Sequence, residues 1–432
     1  MNSPRQRQFL MALVTLVTVG STLLVATANS QAVAPEPEAW TGSWSAALTP
    51  AGAGKSKDGF SDQTIRMFVH TSVGGTQARI RLSNRYGTAP LTIGRATLAL
   101  PWPEAGPGDL KPGSVVDATF NGQKQVTIPS GGSAVSDPVP MEVPASQDVA
   151  VTLYVPAQPK PNPATWHIYS RETTYIGTGD HASEASGAKL AETRNNWYYL
   201  AGLDVLNRSG QGSIVVLGDS ITDGLKTTVN ADRRWTDFLG ARLVKEAPEG
   251  RAPGILNAGL SGNRLTLNGA DLGVNELGMN GASRFHFDVL GQTGVRTVIL
   301  ALGINDVWLS QDTADNIIAR IQQMASVARQ SGLKVVVCTL SPWNAFESAP
   351  GVVAYTPTLD SVRLQVNSYI RTSTEFDGII DFDAALRDPA NPTKLRPEWD
   401  SGDHIHPNDA GNEAMAKAVP LDLLLADDAD ED

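Results

Sequence analysis

An all-β sandwich or jelly-roll-like unit followed by a flavodoxin-like three-layer α/β/α sandwich is the fold this 432-residue chain predicts. The length exceeds one ordinary domain. Three observations lead there. Up to about Val205 the apolar residues alternate with period two between Gly- and Pro-rich turns, and no amphipathic helix stands out. Beyond Gly210, short β-branched runs alternate with segments of helical period. Several of those runs end in a polar, glycine-bearing signature, as strands of a parallel sheet do where they deliver a loop to its carboxyl edge.

Along the first half, Thr64–His70, Ala78–Ser83, Leu91–Ile93 and Val149–Val155 read as strands, separated by turn clusters such as Gly74-Gly75 and Pro129-Ser130-Gly131-Gly132. In the second half, five apolar runs read as parallel strands: Ile214–Leu217, Ile255-Leu256, Thr297–Leu302, Lys334–Leu340 and Gly378–Asp381. Between them Ile317, Ile321, Met324 and Ala328 mark one helix face, and Leu359, Val362, Val366 and Ile370 another. A last helix is expected from about Asp409 to Leu425. The domain reading is therefore 1–34 for an export signal and the start of a linker, 35–207 for the β-sandwich, 208–426 for the α/β unit, and 427–432 for an acidic tail.

Arg5 and Arg7, an apolar run from Phe9 to about Ala26, and the small residues Ala26-Thr27-Ala28 have the pattern of a secretory signal. A second small-residue end lies at Ala32-Val33-Ala34, and an uncleaved signal anchor is the alternative reading. No other stretch approaches ~18 consecutive apolar residues, so an extracellular protein without stable membrane insertion after signal removal is expected. The net charge of −11, with no Lys/Arg cluster, argues against a nucleic-acid partner. The single cysteine, Cys338, cannot form an internal disulfide and sits in an apolar run, so a buried, inert thiol is expected.

Chemistry concentrates at the ends of the first three α/β runs. Val215–Leu217 leads into Gly218-Asp219-Ser220-Ile221-Thr222-Asp223-Gly224, which delivers a serine hydroxyl to the sheet rim. The second run leads into Asn257–Arg264 and the third into Gly303-Ile304-Asn305-Asp306. Far downstream, Asp403-His404-Ile405-His406-Pro407 supplies a carboxylate three residues before a histidine. A serine needs a histidine base to act as a nucleophile, and the base needs an orienting partner. Taken singly these residues have plainer readings: Ser220 as a helix N-cap, Gly262 as a turn glycine, Asn305-Asp306 as an Asx turn, and Asp403, His404 and His406 as a zinc fragment. The zinc reading lacks a second ligand cluster, since His70, His167, His181 and His286 are scattered along the chain. Asp219 and Asp223 read as turn-shaping residues and His404 as a bystander.

In this order the four signatures resemble those of the SGNH (GDSL-type) hydrolases, over residues 211–426. The resemblance implies Ser220 as nucleophile, His406 as its general base and Asp403 as the group orienting the imidazole. It implies an oxyanion hole made by the backbone N–H groups of Ser220 and Gly262 and the Asn305 side-chain amide, with no metal or cofactor. The preceding β-unit is similar to the arrangement in secreted bacterial arylesterase-like and xylan-associated members. No Gly-x-Ser-x-Gly elbow is present, unlike the ordinary α/β-hydrolases. Strand-end tryptophans Trp308, Trp343 and Trp399 are candidates for a substrate pocket. The expected function is hydrolysis of small-molecule or polysaccharide-linked carboxylic esters (acetyl, aryl or feruloyl). Acyl transfer by the same residues and non-catalytic carbohydrate binding are the rival readings. The β-unit, with only scattered Trp40, Trp44, Trp102, Trp166 and Trp197, is expected to pack against its neighbour and stabilise it, the alternatives being that it covers part of the catalytic cleft or holds the enzyme on a polymer.

Overall fold

In the computed structural model, residues 38–52 and 54–425 are described. The export signal, most of the linker and the acidic tail lie outside them. The β region is built around two large antiparallel sheets, with two-stranded ribbons pairing Leu91–Ile93 with Val126–Ile128 and Trp166–His167 with Trp197–Tyr198. The larger has six strands, in the order Glu192–Arg194, Thr174–Thr178, Gln63–His70, Asp148–Val155, Arg95–Ala99, Val116–Ala118. The smaller has four: Ala39–Ser45, Leu200–Asn207, Gln77–Ser83, Ser133–Val135. Period-two alternation explains why they pack. Ile65, Met67 and Val69 of the large sheet and Ile80 and Leu82 of the small one join one apolar core. Thr64, Arg66 and His70 alternate with the first three and so leave the core face. Among the described residues of this region, a five-residue helix at Gly54–Asp58, too short to leave a periodic trace in the sequence, departs from the all-β pattern.

The second half is a five-stranded parallel sheet in the order Gly254–Gly259, Ser213–Gly218, Val295–Ala301, Lys334–Cys338, Gly378–Ile380. This is the 2-1-3-4-5 order of the flavodoxin-like class. The runs read as uninterrupted apolar sequence because both faces are covered. Val215 and Leu217 pack with Ile317, Ile321 and Met324 of the Ala314–Gln330 helix and with Val366 and Ile370 of the Pro357–Thr372 helix. Ile214 and Val216 face the other way, towards Trp235, Leu239 and Leu243 of the Trp235–Glu246 helix and Met415 of the Asp409–Ala418 helix. That last helix stops well before Leu425, at Ala418, and a short 3-10 turn at Leu421–Leu423 follows. Cys338 is buried in the second of these layers, and burial pushes its thiol well above the usual range. Among the described residues no helix is long and apolar enough to cross a membrane.

Glu36–Asp432 is one compact unit, so the β region and the α/β region are packed together. The contact runs along the outer strand Gly254–Gly259, whose free edge would otherwise present unpaired backbone groups. Ser72 Oγ accepts from Ile255 N at 2.9 Å, Ser45 Oγ donates to Asn257 O at 3.3 Å, and Gly42 N donates to Ser213 Oγ at 2.9 Å. Ala47 of the β region even joins the apolar layer of the parallel sheet.

Candidate active site

Ser220 is the first residue of a one-turn helix, Ser220–Asp223, that begins where the Ser213–Gly218 strand stops. Asp219 caps it, its carboxyl accepting from Ile221 N at 3.0 Å, and Gly224 closes it in the left-handed region at φ 82°. The adjacent strand end must come very close: a Cβ on Gly259 would lie 2.3 Å from Asp223 N, so only glycine fits there. Burial pushes the Asp219 carboxyl up to about 7.

His406 and Asp403 arrive from the loop before the Asp409–Ala418 helix. His406 Nε2 stands 2.8 Å from Ser220 Oγ, and His406 Nδ1 stands 2.7 Å from Asp403 Oδ2. Asp403 Oδ1 also accepts the backbone N–H groups of His406 at 2.9 Å and Ile405 at 3.2 Å. Burial works against the Asp403 charge, but the His406 imidazole and these donors outweigh it and hold the carboxyl well below the usual range. Ser220 and His406 are buried, at 6% and 7% exposure. His404 turns away: its backbone is left-handed at φ 72°, and its ring meets Asp400 at 2.6 Å. Both nitrogens of His406 are engaged by Ser220 and Asp403, so Asp403, His404 and His406 do not converge on a common point as metal ligands would.

Ser220, Gly262, Asn305, His406 and Trp308 line one open cleft of about 400 Å³. Asn305 is buried, and its amide is fixed at both ends. Its Oδ1 accepts from Trp308 Nε1 at 2.9 Å, and its Nδ2 donates to Asn263 O at 3.0 Å. One N–H of Nδ2 is left over for a ligand. Gly262 has φ 73°, which an L-residue adopts only with strain. The loop carrying it is held from two sides. Asp223 Oδ2 accepts Ser261 N at 3.1 Å and Ser261 Oγ at 2.8 Å. Asp306 accepts Leu265 N at 2.8 Å, Thr266 N at 3.0 Å and Thr266 Oγ1 at 2.8 Å. Burial raises Asp306 to about 6.

Two of the three tryptophans expected at the pocket are elsewhere. Trp343 is fully buried and packs edge-on against Tyr355 with ring centroids 5.4 Å apart. Trp399 packs on the opposite layer beneath the Arg396 guanidinium. A strand end places the backbone at the rim, but the next residues of these two loops turn back onto the core. Trp308 alone of the three faces the cleft, edge-on to Phe346 at 5.0 Å.

Other residues around the site carried no signal in the sequence. Arg284, wholly buried, donates to Gly218 O at 2.8 Å, Ala258 O at 2.7 Å and Asn263 Oδ1 at 3.0 Å, tying together the chain ends that carry Ser220 and Gly262. His167 comes from the β region. Its Nδ1 meets Ala47 O at 2.8 Å and its Nε2 meets Asp223 Oδ1 at 2.9 Å. Both ring nitrogens thus stand within hydrogen-bond distance of an oxygen. The β region thereby braces the residue that holds Ser261, and its Ile168 and Tyr169 line the cleft itself.

The fold is that of the SGNH hydrolases, and it sets a serine, a histidine and an aspartate in one hydrogen-bonded line at the carboxyl edge of the parallel sheet. Residues 216–414 match the GDSL-like Lipase/Acylhydrolase family. Similar solved structures include the native M. smegmatis aryl esterase (19% identity, covering 48% of this chain and 95% of that one, TM-score 0.37). A catalytic mutant of an acetylxylan esterase from Geobacillus stearothermophilus is 21% identical, covering 49% of this chain and 93% of that one, with TM-score 0.34. A GDSL-like lipase from Bacteroides thetaiotaomicron is 17% identical, covering 50% of this chain and 88% of that one, with TM-score 0.36. No curated protein matches the chain.

The buried Asp219 gives a pH test. Its folded-state value of about 7 lies above the ordinary 3.8, so between those values the native state holds the proton that the unfolded state releases. Its contribution therefore favours folding in mild acid and is lost as pH rises from about 4 to about 7. Asp219→Asn keeps an acceptor for Ile221 N but carries no charge. Relative to the parent, the variant should gain on the order of 1–3 kcal/mol between pH 4 and pH 8 in urea unfolding. A difference that does not change with pH would show that Asp219 is not held neutral.

Proposed function

We propose that the protein is a secreted serine esterase that hydrolyses carboxylic esters through an acyl-enzyme. The observation that carries this reading is the line from Ser220 Oγ to His406 Nε2 and from His406 Nδ1 to Asp403, at 2.8 and 2.7 Å. Ser220 Oγ attacks the ester carbonyl while His406 Nε2 takes its proton. Asp403 keeps Nδ1 protonated and the ring aimed at the serine. The oxyanion is received by Ser220 N, Gly262 N and the spare N–H of Asn305. His406 then gives the proton to the departing alcohol, the tetrahedral intermediate collapses to the acyl-enzyme, and a water deprotonated by the same histidine releases the acid. The open cleft gives that water a path.

Because Trp308 and Asn263 hold the Asn305 amide before substrate arrives, its contribution is preorganised and falls on the transition state. Asn305→Ala is expected to lower kcat by ~10²–10³-fold with little change in KM. An unchanged kcat in the folded variant would remove Asn305 from the oxyanion hole.

Apolar and aromatic side chains (Ile168, Tyr169, Leu225, Val274, Trp308 and Phe346) wall the cleft and suit a compact acyl or aromatic group. With the N-terminal export pattern, this supports extracellular esters as substrates: acetyl or feruloyl groups on plant polysaccharide first, simple aryl or short-chain esters next. A panel of esters varying acyl length, aromatic acid and alcohol, including acetylated xylan, tests the choice. Activity confined to long acyl chains would overturn it.

A further inference from the structure

A cluster of ionisable groups away from Ser220 is left unused by this mechanism. His70 ends the Gln63–His70 strand, and Asp148, its register partner, begins the next. His70 Nδ1 lies 2.9 Å from Asp148 Oδ1 and 3.2 Å from Asp232 Oδ2, and one donor atom from each of the three lies within 4.8 Å of the others. Asp232 comes from the α/β region, in the loop before the Trp235–Glu246 helix. Glu172, from the β region, lines the same cavity as His70 and Asp232.

We propose that His70, Asp148, Glu172 and Asp232 form a site for a first-row divalent cation, Zn²⁺ or Mn²⁺, that ties the β region to the α/β region. Glu172 is the observation that takes the cluster beyond a surface ion pair. It is 5% exposed, and its Oε1 is buried with no hydrogen-bond partner. Asp232 Oδ1 is likewise buried without a partner. Buried carboxylate oxygens without donors are costly, and a cation in the cavity they line removes that cost.

Charge points the same way. Asp237 also lines the cavity, but its Oδ2 accepts Arg234 N at 2.9 Å and stands 4.0 Å from the Arg234 guanidinium, so those two offset each other. Asp148, Glu172 and Asp232 remain around His70, and the cluster holds a proton where a cation would sit: burial pushes the Glu172 carboxyl, which meets that of Asp232, up to about 9. The donor set selects the ion: an imidazole nitrogen with carboxylate oxygens suits Zn²⁺ or Mn²⁺, whereas Ca²⁺ takes six to eight oxygens. Donors of a tetrahedral ion bound at ~2.0–2.1 Å lie about 3.3 Å apart, close to the two separations at His70. Neither Ser220 nor His406 lines this cavity, so the ion is structural and the proposal is independent of the esterase reading.

The test uses the full chain without a polyhistidine tag, stripped with chelator and dialysed. Its Tm is followed with ZnCl₂, MnCl₂ or CaCl₂ up to about 1 mM, and bound metal is counted by elemental analysis. Zn²⁺ or Mn²⁺ should raise Tm by about 3–8 °C at one ion per chain. In Glu172→Gln, and separately in Asp148→Asn, that increment should fall to below half. Because the readout is the metal-induced increment within each protein, a variant that is merely less stable still answers. No increment in the parent, an increment from Ca²⁺ alone, or an undiminished increment in both variants would overturn the proposal.

Discussion

Ser220→Ala should lower kcat on any substrate of this protein by roughly 10⁴–10⁶-fold while the protein stays folded. The size follows from what is lost. Without Oγ the 2.8 Å contact to His406 Nε2 has no acceptor of the acyl group, and Asp403 and His406 have nothing to activate. Binding and the oxyanion donors survive, so a small rate above the uncatalysed one should remain. The fold should survive too, because the one-turn helix is capped by the Asp219 side chain and closed by Gly224, neither of which depends on the hydroxyl. Circular dichroism and KM measured beside kcat separate the outcomes. A kcat within tenfold of the parent would show that the chemistry is elsewhere.

Removing the β region should be the more destructive change to structure. A fragment of residues 208–432 loses the Ser72 and Ser45 hydroxyls that cover the Gly254–Gly259 edge and the Gly42 N–H bonded to Ser213. It also loses Ala47 from the core, His167 from Asp223, and Ile168 and Tyr169 from the cleft. Ser72 and Ser45 touch the strand that leads to Gly262, and His167 braces the Asp223 carboxyl that accepts from Ser261 beside it. Against a net stability of about 5–15 kcal/mol for an ordinary domain, losing a packed apolar face and a covered edge together is expected to leave the fragment unfolded or aggregating. Turnover of small and polymeric esters should then vanish alike. A soluble fragment with parental Tm and full activity would refute the structural role given to the β region.

The strands of the α/β region could be read from sequence because both faces of the sheet are covered, so Val215–Leu217 and its counterparts are apolar without interruption. Ser220, Gly262 and Asn305 stand just past strand ends and His406 in the loop before the last helix, and the residues these motifs named line one cleft. What escaped depends on tertiary contact between distant segments. His167 is 56 residues from Asp223 and was indistinguishable from any isolated histidine. Arg284 reaches Gly218 across 66 residues. His70, read as scattered, meets Asp148 by strand register and Asp232 only through the packing of the two regions. The tryptophan reading failed at Trp343 and Trp399 because sequence position gives the place of a loop and not the direction its side chains take. Sequence left open whether the β region reaches the cleft, since Ile168 and Tyr169, which line it, show no pattern that marks a cleft wall.

The central claim is that Ser220 becomes acylated, and mass spectrometry of peptides from protein quenched during turnover of p-nitrophenyl acetate tests it most directly. One acetyl group per chain on the Ser220 peptide, absent from Ser220→Ala, is the result expected. Acetylation of a different residue that rises and decays with turnover, while Ser220 stays unmodified, would contradict it.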